Sequence, residues 1–103
     1  MATKLISIQK SDKAGKKMMA TFETNVRQKT IHFGSASNKD FTIYWKTEGK
    51  EKAEKMRSAY IARHKVNENW NDPMTAGSLS RWVLWEAPTI QGGIRAYKKR
   101  YGF

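Results

Sequence analysis

The apolar pattern of this chain changes period at Thr47, and that change decides what it can fold into. Before it, apolar side chains fall in short alternating runs separated by polar turns, as half-buried strands require. Leu5, Ile6 and Ile8 make one run, followed by the basic turn SDKAGKK. MMATFET comes next, with Met19 and Thr21 on one face and Ala20 and Phe22 on the other. The polar break NVRQK leads to TIHF, which puts Ile31 and Phe33 on one face. After GSASNKD, the run FTIYW alternates Phe41, Ile43 and Trp45 and predicts a fourth strand. An antiparallel meander of three or four strands is the simplest sheet with this order.

From residue 47 the spacing is helical. TEGKEKAEKMRSAYIARHKV is proline-free and rich in helix formers, which predicts a helix from Gly49 to Val66. Ala53, Met56, Ala59 or Tyr60, and Arg63 share a side of it, and Glu51 precedes Lys55 by four residues, the favourable order for a surface pair. NENWNDP ends this helix. Thr75 is placed to cap a second one over Ala76 to Trp85, with Leu79, Trp82, Val83 and Glu86 to one side and Trp85 nearby. Pro88 breaks that helix and suits the first turn of a third. There Ile90, Ile94, Tyr97 and Tyr101 form an amphipathic stripe, in which Gly92 and Gly93 mark either a weak start or close packing against a neighbour. Strands first and helices after predict an α+β fold in one domain over residues 1–103, with 1–46 mainly β and 47–103 mainly α. Its sheet of three or four strands would pack against about three helices.

Charge narrows the partners. Twenty Lys and Arg oppose nine Asp and Glu, a formal net charge of +11, which favours nucleic acid, anionic lipid headgroups or an acidic protein face. Three clusters carry it. Lys10, Lys13, Lys16 and Lys17 decorate the first hairpin loop. Lys50, Lys52, Lys55, Arg57, Arg63 and Lys65 ring the first helix, diluted by Glu48, Glu51 and Glu54. Arg95, Lys98, Lys99 and Arg100 lie in the last helix with no acid after Glu86. Residues 95, 98 and 99 share the side opposite the Ile/Tyr stripe, either a contact surface for phosphates or an acidic wall, or a solvated face. Lys13, Lys16, Lys17, Arg95, Lys98, Lys99 and Arg100 are the expected anion or nucleic-acid contacts. No zinc-finger or RNP-like motif accompanies them, so base-specific recognition is not expected.

Signs of catalysis are few. Without cysteine there is neither a disulfide nor thiolate chemistry. His32 and His64 have no metal-ligand spacing. His32 should face opposite Ile31 and Phe33 at the surface or a pocket edge, and His64 suits the end of a helix. Ser80, His64 and Asp72 could be combined on paper as a nucleophilic set, but Ser80 lacks a nucleophile elbow. GSASNKD has no phosphate-loop spacing. Glu68 and Asp72 are separated from a common helix face by Pro73, and Asp72 suits a turn in which it accepts from downstream amides. The expectation is therefore no enzyme, with no catalytic, cofactor-binding or metal-binding residues. No apolar run approaches the roughly 20 residues that span a bilayer, and MATKLISIQK lacks the apolar stretch of a secretory signal. Peripheral contact with anionic lipid stays open.

The segment from Asn69 to Glu86 stands apart, with a net charge of −1 and three of the four tryptophans. Trp70, Asp72, Arg81, Trp82 and Trp85 are expected to form a structural hub that wedges the helices against the sheet. Arg81 would bond a carbonyl or a carboxylate such as Asp72. The alternative is an exposed tryptophan platform for docking or base stacking.

Arg63-His64, Glu68, Trp70, Asp72-Pro73, Thr75-Ala76-Gly77, Ser80-Arg81-Trp82, Leu84-Trp85 and Pro88-Thr89 together resemble the signature of a family of small basic proteins. These are encoded by large nucleocytoplasmic DNA viruses, including chlorella-virus and giant-virus relatives. The similarity starts near Lys29-Thr30-Ile31-His32-Phe33-Gly34, continues through Asp40-Phe41-Thr42 and reaches Ile94. Two departures stand out: Tyr44, Trp45 and Lys46 replace a usual His-x-Asp, and Ser78-Leu79 replace an aromatic pair. The resemblance implies a viral, non-enzymatic and virion-associated protein, and brings no catalytic residues with it. The leading expectation is a minor structural component of the capsid inner face or virion core, in contact with capsid proteins, lipid headgroups or packaged DNA. It would be found in the virion, and in host cytoplasm or nucleus during infection. The alternatives are a non-sequence-specific nucleic-acid-binding protein of the infected cell, and a host-directed interaction module.

Overall fold

A computed structural model describes residues 3–103 of the chain. Three strands, β1 (Lys4–Lys10), β2 (Lys16–Glu23) and β3 (Gln28–Ser35), form an antiparallel sheet in sequence order. Register is set by pairing Lys4 with Glu23 and Lys10 with Met18 across the first hairpin, and Met18 with Phe33 and Glu23 with Gln28 across the second. Gly15, at φ 83°, supplies the left-handed residue that the β1–β2 turn needs. Ala20, Phe22 and Phe33 are fully buried on the face toward the helices. On the other face Thr21 lies beside Thr30, their hydroxyls 3.3 Å apart, and His32 Nδ1 lies 2.7 Å from Ser11 Oγ. One face dry and one face polar is the usual state of a small antiparallel sheet.

The run FTIYW is not a strand. Residues Phe41–Glu48 form a helix, α1, so the sheet has three strands and the β-rich part ends at Ser35. Positions 41 and 45 share a face at either period, two or about 3.6, so alternation alone could not decide between them. The deciding group is Asp40, which is buried at the N-cap and accepts from the Thr42 and Ile43 amides at 2.9 and 3.2 Å and from the Thr42 hydroxyl. Gly49, at φ 91°, separates α1 from α2 (Lys50–His64), which follows the expected bounds closely. Ala53 and Tyr60 are its buried positions.

The tryptophan-rich segment folds as a short α-helix, α3 (Ala76–Leu79), that widens into a π-turn over Ser80–Leu84. Thr75 caps it, accepting from the Ser78 amide at 3.1 Å. Leu79 and Val83 are buried as expected, but they are joined by Leu84 and Trp85, while Trp82 and Glu86 are only half-buried. An extra residue per turn rotates everything after Leu79, which a period of 3.6 cannot anticipate. The last helix, α4, spans Ile90–Tyr101 with Thr89 as N-cap, accepting from the Gly92 amide at 3.0 Å. Pro88 therefore precedes the cap instead of opening the first turn.

Helix α4 packs directly on the π-turn because Gly93 has no side chain. A Cβ there would meet the Val83 carbonyl carbon at 2.7 Å and its Cα at 2.9 Å. Gly102, left-handed at φ 76°, ends α4 and turns Phe103 back so that its amide donates to the Lys98 carbonyl at 2.9 Å. The Phe103 ring then lies 5.8 Å from Phe22 and 6.0 Å from Tyr97, joining sheet and helix. Buried Phe22, Phe33, Phe41, Leu79, Val83 and Tyr97 belong to one continuous core that reaches from sheet to helices, the α+β arrangement. No helix among the described residues is long and apolar enough to cross a membrane.

Candidate functional site

The expected basic contacts do not form one surface. Lys13 and Lys16 are exposed on the β1–β2 turn. Lys98 sits at the opposite end of the sheet, sharing a recess with Lys4, Leu5 and Phe103. Seven strand residues at about 3.3 Å each separate the two ends by about 20 Å. Lys17 is not a free contact at all. Its Nζ bonds Asp40 Oδ2 at 2.7 Å, and the two side chains are only 16% and 4% exposed. Its charge is therefore used inside the fold, against the carboxylate that caps α1.

On α4, Arg95, Lys98 and Lys99 are exposed on one face, opposite buried Gly93 and Tyr97. Arg100 is exposed on the other side of the helix, toward the tryptophan segment, and its guanidinium lies 5.4 Å from the Tyr101 ring and 5.9 Å from the Trp82 ring. None of the four is ion-paired among the described residues. The pairs there are Lys17–Asp40, Lys39–Glu48, Arg57–Glu54 and Arg81–Glu86. The α2 cluster is partly absorbed in the same way, because Arg57 donates to the Glu86 carbonyl at 2.8 Å and covers the Phe41 ring at 4.5 Å.

The five residues of the expected hub differ in burial. Trp85 is buried, stacked on Tyr60 at 4.4 Å, while Trp70 and Trp82 are half-buried. The Arg81 guanidinium covers Trp82 at 4.4 Å and Trp70 at 5.8 Å. Its carboxylate partner is Glu86, at 2.9 Å, not Asp72. Five residues along the chain, Glu86 is brought back toward Arg81 by the π-turn. Asp72 is exposed and makes the expected turn, accepting from the Met74 amide at 2.9 Å. Packing across the hub relies on hydroxyls bound to loop carbonyls. Tyr97 donates to Pro73 and Tyr101 to Trp70, both at 2.6 Å, and buried Ser78 donates to Asp72 at 2.6 Å. Burial, followed by Tyr101 and Asp72, pushes the Tyr97 phenol well above its ordinary range.

A cleft of about 500 Å³ opens where the end of β3, α1, α2 and α3 meet, and charge clustering did not point to it. Tyr60, Arg63 and His64 reach it from one face of α2, spaced three and four apart. Glu68 reaches it from the following loop, Gly77 and Ser80 from α3 and the π-turn, and Tyr44 from α1. His64 stacks on Tyr60 at 4.3 Å, continuing the stack that begins with Trp85. Burial, followed by the Glu68 carboxylate, raises the Tyr60 phenol to about 12, with Arg81 and Arg63 opposing. A Cβ on Gly77 would lie 2.5 Å from the Glu68 carboxyl carbon, so the carboxylate occupies the space a side chain would take. The available signal was the signature itself: Arg63, His64, Glu68, Ala76, Gly77, Ser80 and Trp85 all line this one cleft. Among the described residues, no three His, Asp or Glu side chains converge as a metal site would need.

Residues 6–64 match the model of a family of unknown function (DUF5754), and the chain belongs to that family. The matched span, more than half of the chain, runs from β1 through α2 and so includes the α2 wall of the cleft. It ends before the tryptophan-rich segment. No curated protein and no solved structure matches the chain.

Proposed function

We propose that this chain is a non-enzymatic, polyanion-binding structural component of a large DNA virus particle, with α4 as its contact face. The observation that carries the proposal is the acid-free α4 surface, where Arg95, Lys98 and Lys99 are exposed, aligned and unpaired among the described residues. Elsewhere lysines and arginines are partly neutralised by Asp40, Glu48, Glu54 and Glu86. On α4 nothing offsets them, so phosphates or an acidic capsid wall would neutralise them instead. The viral assignment is supported by the resemblance of the Asp72-to-Trp85 run, and the absence of base-reading motifs supports contact without sequence preference.

Mass spectrometry of purified particles tests the assignment, with the chain expected in fixed stoichiometry. Absence from particles would sink it. A protein that then still bound DNA through α4 would be a nucleic-acid-binding protein of the infected cell.

A further inference from the structure

We propose that the polyanion surface does not stop at α4 but runs on across the open end of the sheet, through Lys4 to Arg27 and Lys29, and that its partner is the phosphate backbone of a nucleic-acid duplex. The inference rests on the reading of α4 as a contact face. It deepens that reading by adding a second half to the face and by naming the polyanion.

Lys4 is the join. It lines one recess with Lys98, Leu5 and Phe103 at the end of α4, and a second with Arg27 and Gln28 at the β2–β3 turn. Register carries the surface across the sheet: Lys4, Glu23 and Gln28 form one cross-strand row, and Leu5, Phe22 and Lys29 the next. At about 4.8 Å between strands, each row spans about 10 Å. The turn is held in place, because the Thr24 amide and hydroxyl both donate to the Arg27 carbonyl, at 2.9 and 3.0 Å. Lys4, Arg27 and Lys29 are exposed and, like Arg95, Lys98 and Lys99, have no ion pair among the described residues. Glu23, half-buried, is the one acid in either recess and is paired with none of them.

This excess of cations selects a polyanion, and three observations select which. Thr24, Asn25 and Gln28 line the second recess, and side chains of these types join Lys and Arg on phosphate oxygens. Phe103 is the one aromatic ring in either recess and is packed against Phe22 and Tyr97, so a single strand finds no open ring on which to stack its bases. The large apolar side chains exposed on β1 and the β2–β3 turn are Ile6 and Val26, without the Trp, Phe or Leu face that seats a basic surface in a bilayer. A duplex presents a negative charge about every 1.7 Å and needs neither.

Fluorescence anisotropy of the full chain with a short labelled DNA duplex of arbitrary sequence tests the proposal. Six phosphate contacts give a slope of about 5.4 in log affinity against log salt, an about 10³-fold loss between about 50 and 200 mM. Lys4→Gln, Arg27→Gln and Lys29→Gln together should halve that slope to about 2.7 and leave a loss of about 40-fold. Glu23→Gln removes the one repelling charge and should tighten binding about twofold or more at low salt. Full slope and affinity in the sheet-end variant, with an Arg95→Gln, Lys98→Gln, Lys99→Gln variant weakened, would overturn the extension and leave the α4 reading standing. Loss in the sheet-end variant alone would overturn the α4 reading and, with it, the continuous surface. Single-stranded DNA, polyglutamate or phosphatidylserine vesicles bound as tightly as the duplex, at equal anionic charge, would overturn the choice of partner. If the sheet-end variant loses its circular dichroism, Glu23→Gln decides: binding equal to or weaker than that of the unaltered chain overturns the proposal.

Discussion

Replacing Gly93 with alanine should destabilise the protein strongly, while the same change one residue earlier should not. An alanine Cβ at position 93 would stand 2.7 Å from the Val83 carbonyl carbon and 2.9 Å from Val83 Cα, with the carbonyl oxygen nearer still. Carbon atoms in contact rest about 3.5–4.0 Å apart, so α4 must retreat by about 1 Å. Backbone atoms cannot rotate away as a side chain can. The retreat would loosen the contact of α4 with the π-turn and the packing of Tyr97, which is wholly buried. Overpacking of this kind costs about 1–3 kcal/mol or more, against a gain of about 1 kcal/mol from alanine's helix propensity. Contact with rigid backbone puts the cost at the upper end of that range, so the net loss should be about 2 kcal/mol, a fall in Tm of about 8–16 °C for a domain this size. At Gly92 the nearest atoms are the Ala87 Cβ at 3.0 Å and the Thr89 Oγ1 at 3.1 Å, both on side chains. There crowding and propensity should cancel to within about 1 kcal/mol. Urea and thermal unfolding followed by tryptophan fluorescence give both values. If Gly93→Ala is as stable as the unaltered protein, the close backbone approach of α4 to the π-turn is wrong.

Three further outcomes follow from the same geometry. Asp40→Ala removes the α1 cap and leaves Lys17 without its partner, so it should cost about 3–5 kcal/mol by urea unfolding. A loss under about 1 kcal/mol would mean the pair is solvated. Tyr97→Phe keeps the ring and deletes only the 2.6 Å bond to the Pro73 carbonyl. It should cost about 1–2 kcal/mol, and an unchanged denaturation midpoint would show that Pro73 is satisfied otherwise. Stability should also fall in alkali. Tyr60 is raised to about 12 in the folded state, so its contribution is complete below the ordinary tyrosine value of 10.0 and is lost as pH rises through about 12. Tyr97 shifts in the same direction. A urea midpoint that stays flat across that window would contradict burial of the two phenols.

Much of this was legible in the sequence, and the exceptions have distinct physical causes. Three strands, α2 and α4 were clear because each has one dominant period, although α4 begins after Thr89 and not at Pro88. α1 was hidden because five residues hold too few positions to separate two periods, and the stronger sign was Asp40 one residue before it. Trp82 and Glu86 were placed inward with Val83 because a π-turn leaves no mark in hydrophobic spacing. Lys17 was grouped with the exposed lysines because a charge count cannot see a partner 23 residues away. The cleft was missed because its residues come from separate segments, and the signature that contains several of them does not show that they face one space. They become one site only when α2 and α3 face each other across Glu68 and Gly77.

The most direct test of polyanion binding through α4 is the salt dependence of binding to a double-stranded DNA of arbitrary sequence. The comparison is between the unaltered chain and a variant carrying Arg95→Gln, Lys98→Gln and Lys99→Gln. Each phosphate contact contributes about 0.9 to the slope of log affinity against log salt. Loss of three should therefore lower the slope by about 2.7 and weaken binding equally on unrelated sequences. A variant that keeps the full slope and affinity would place the contact elsewhere and contradict the account.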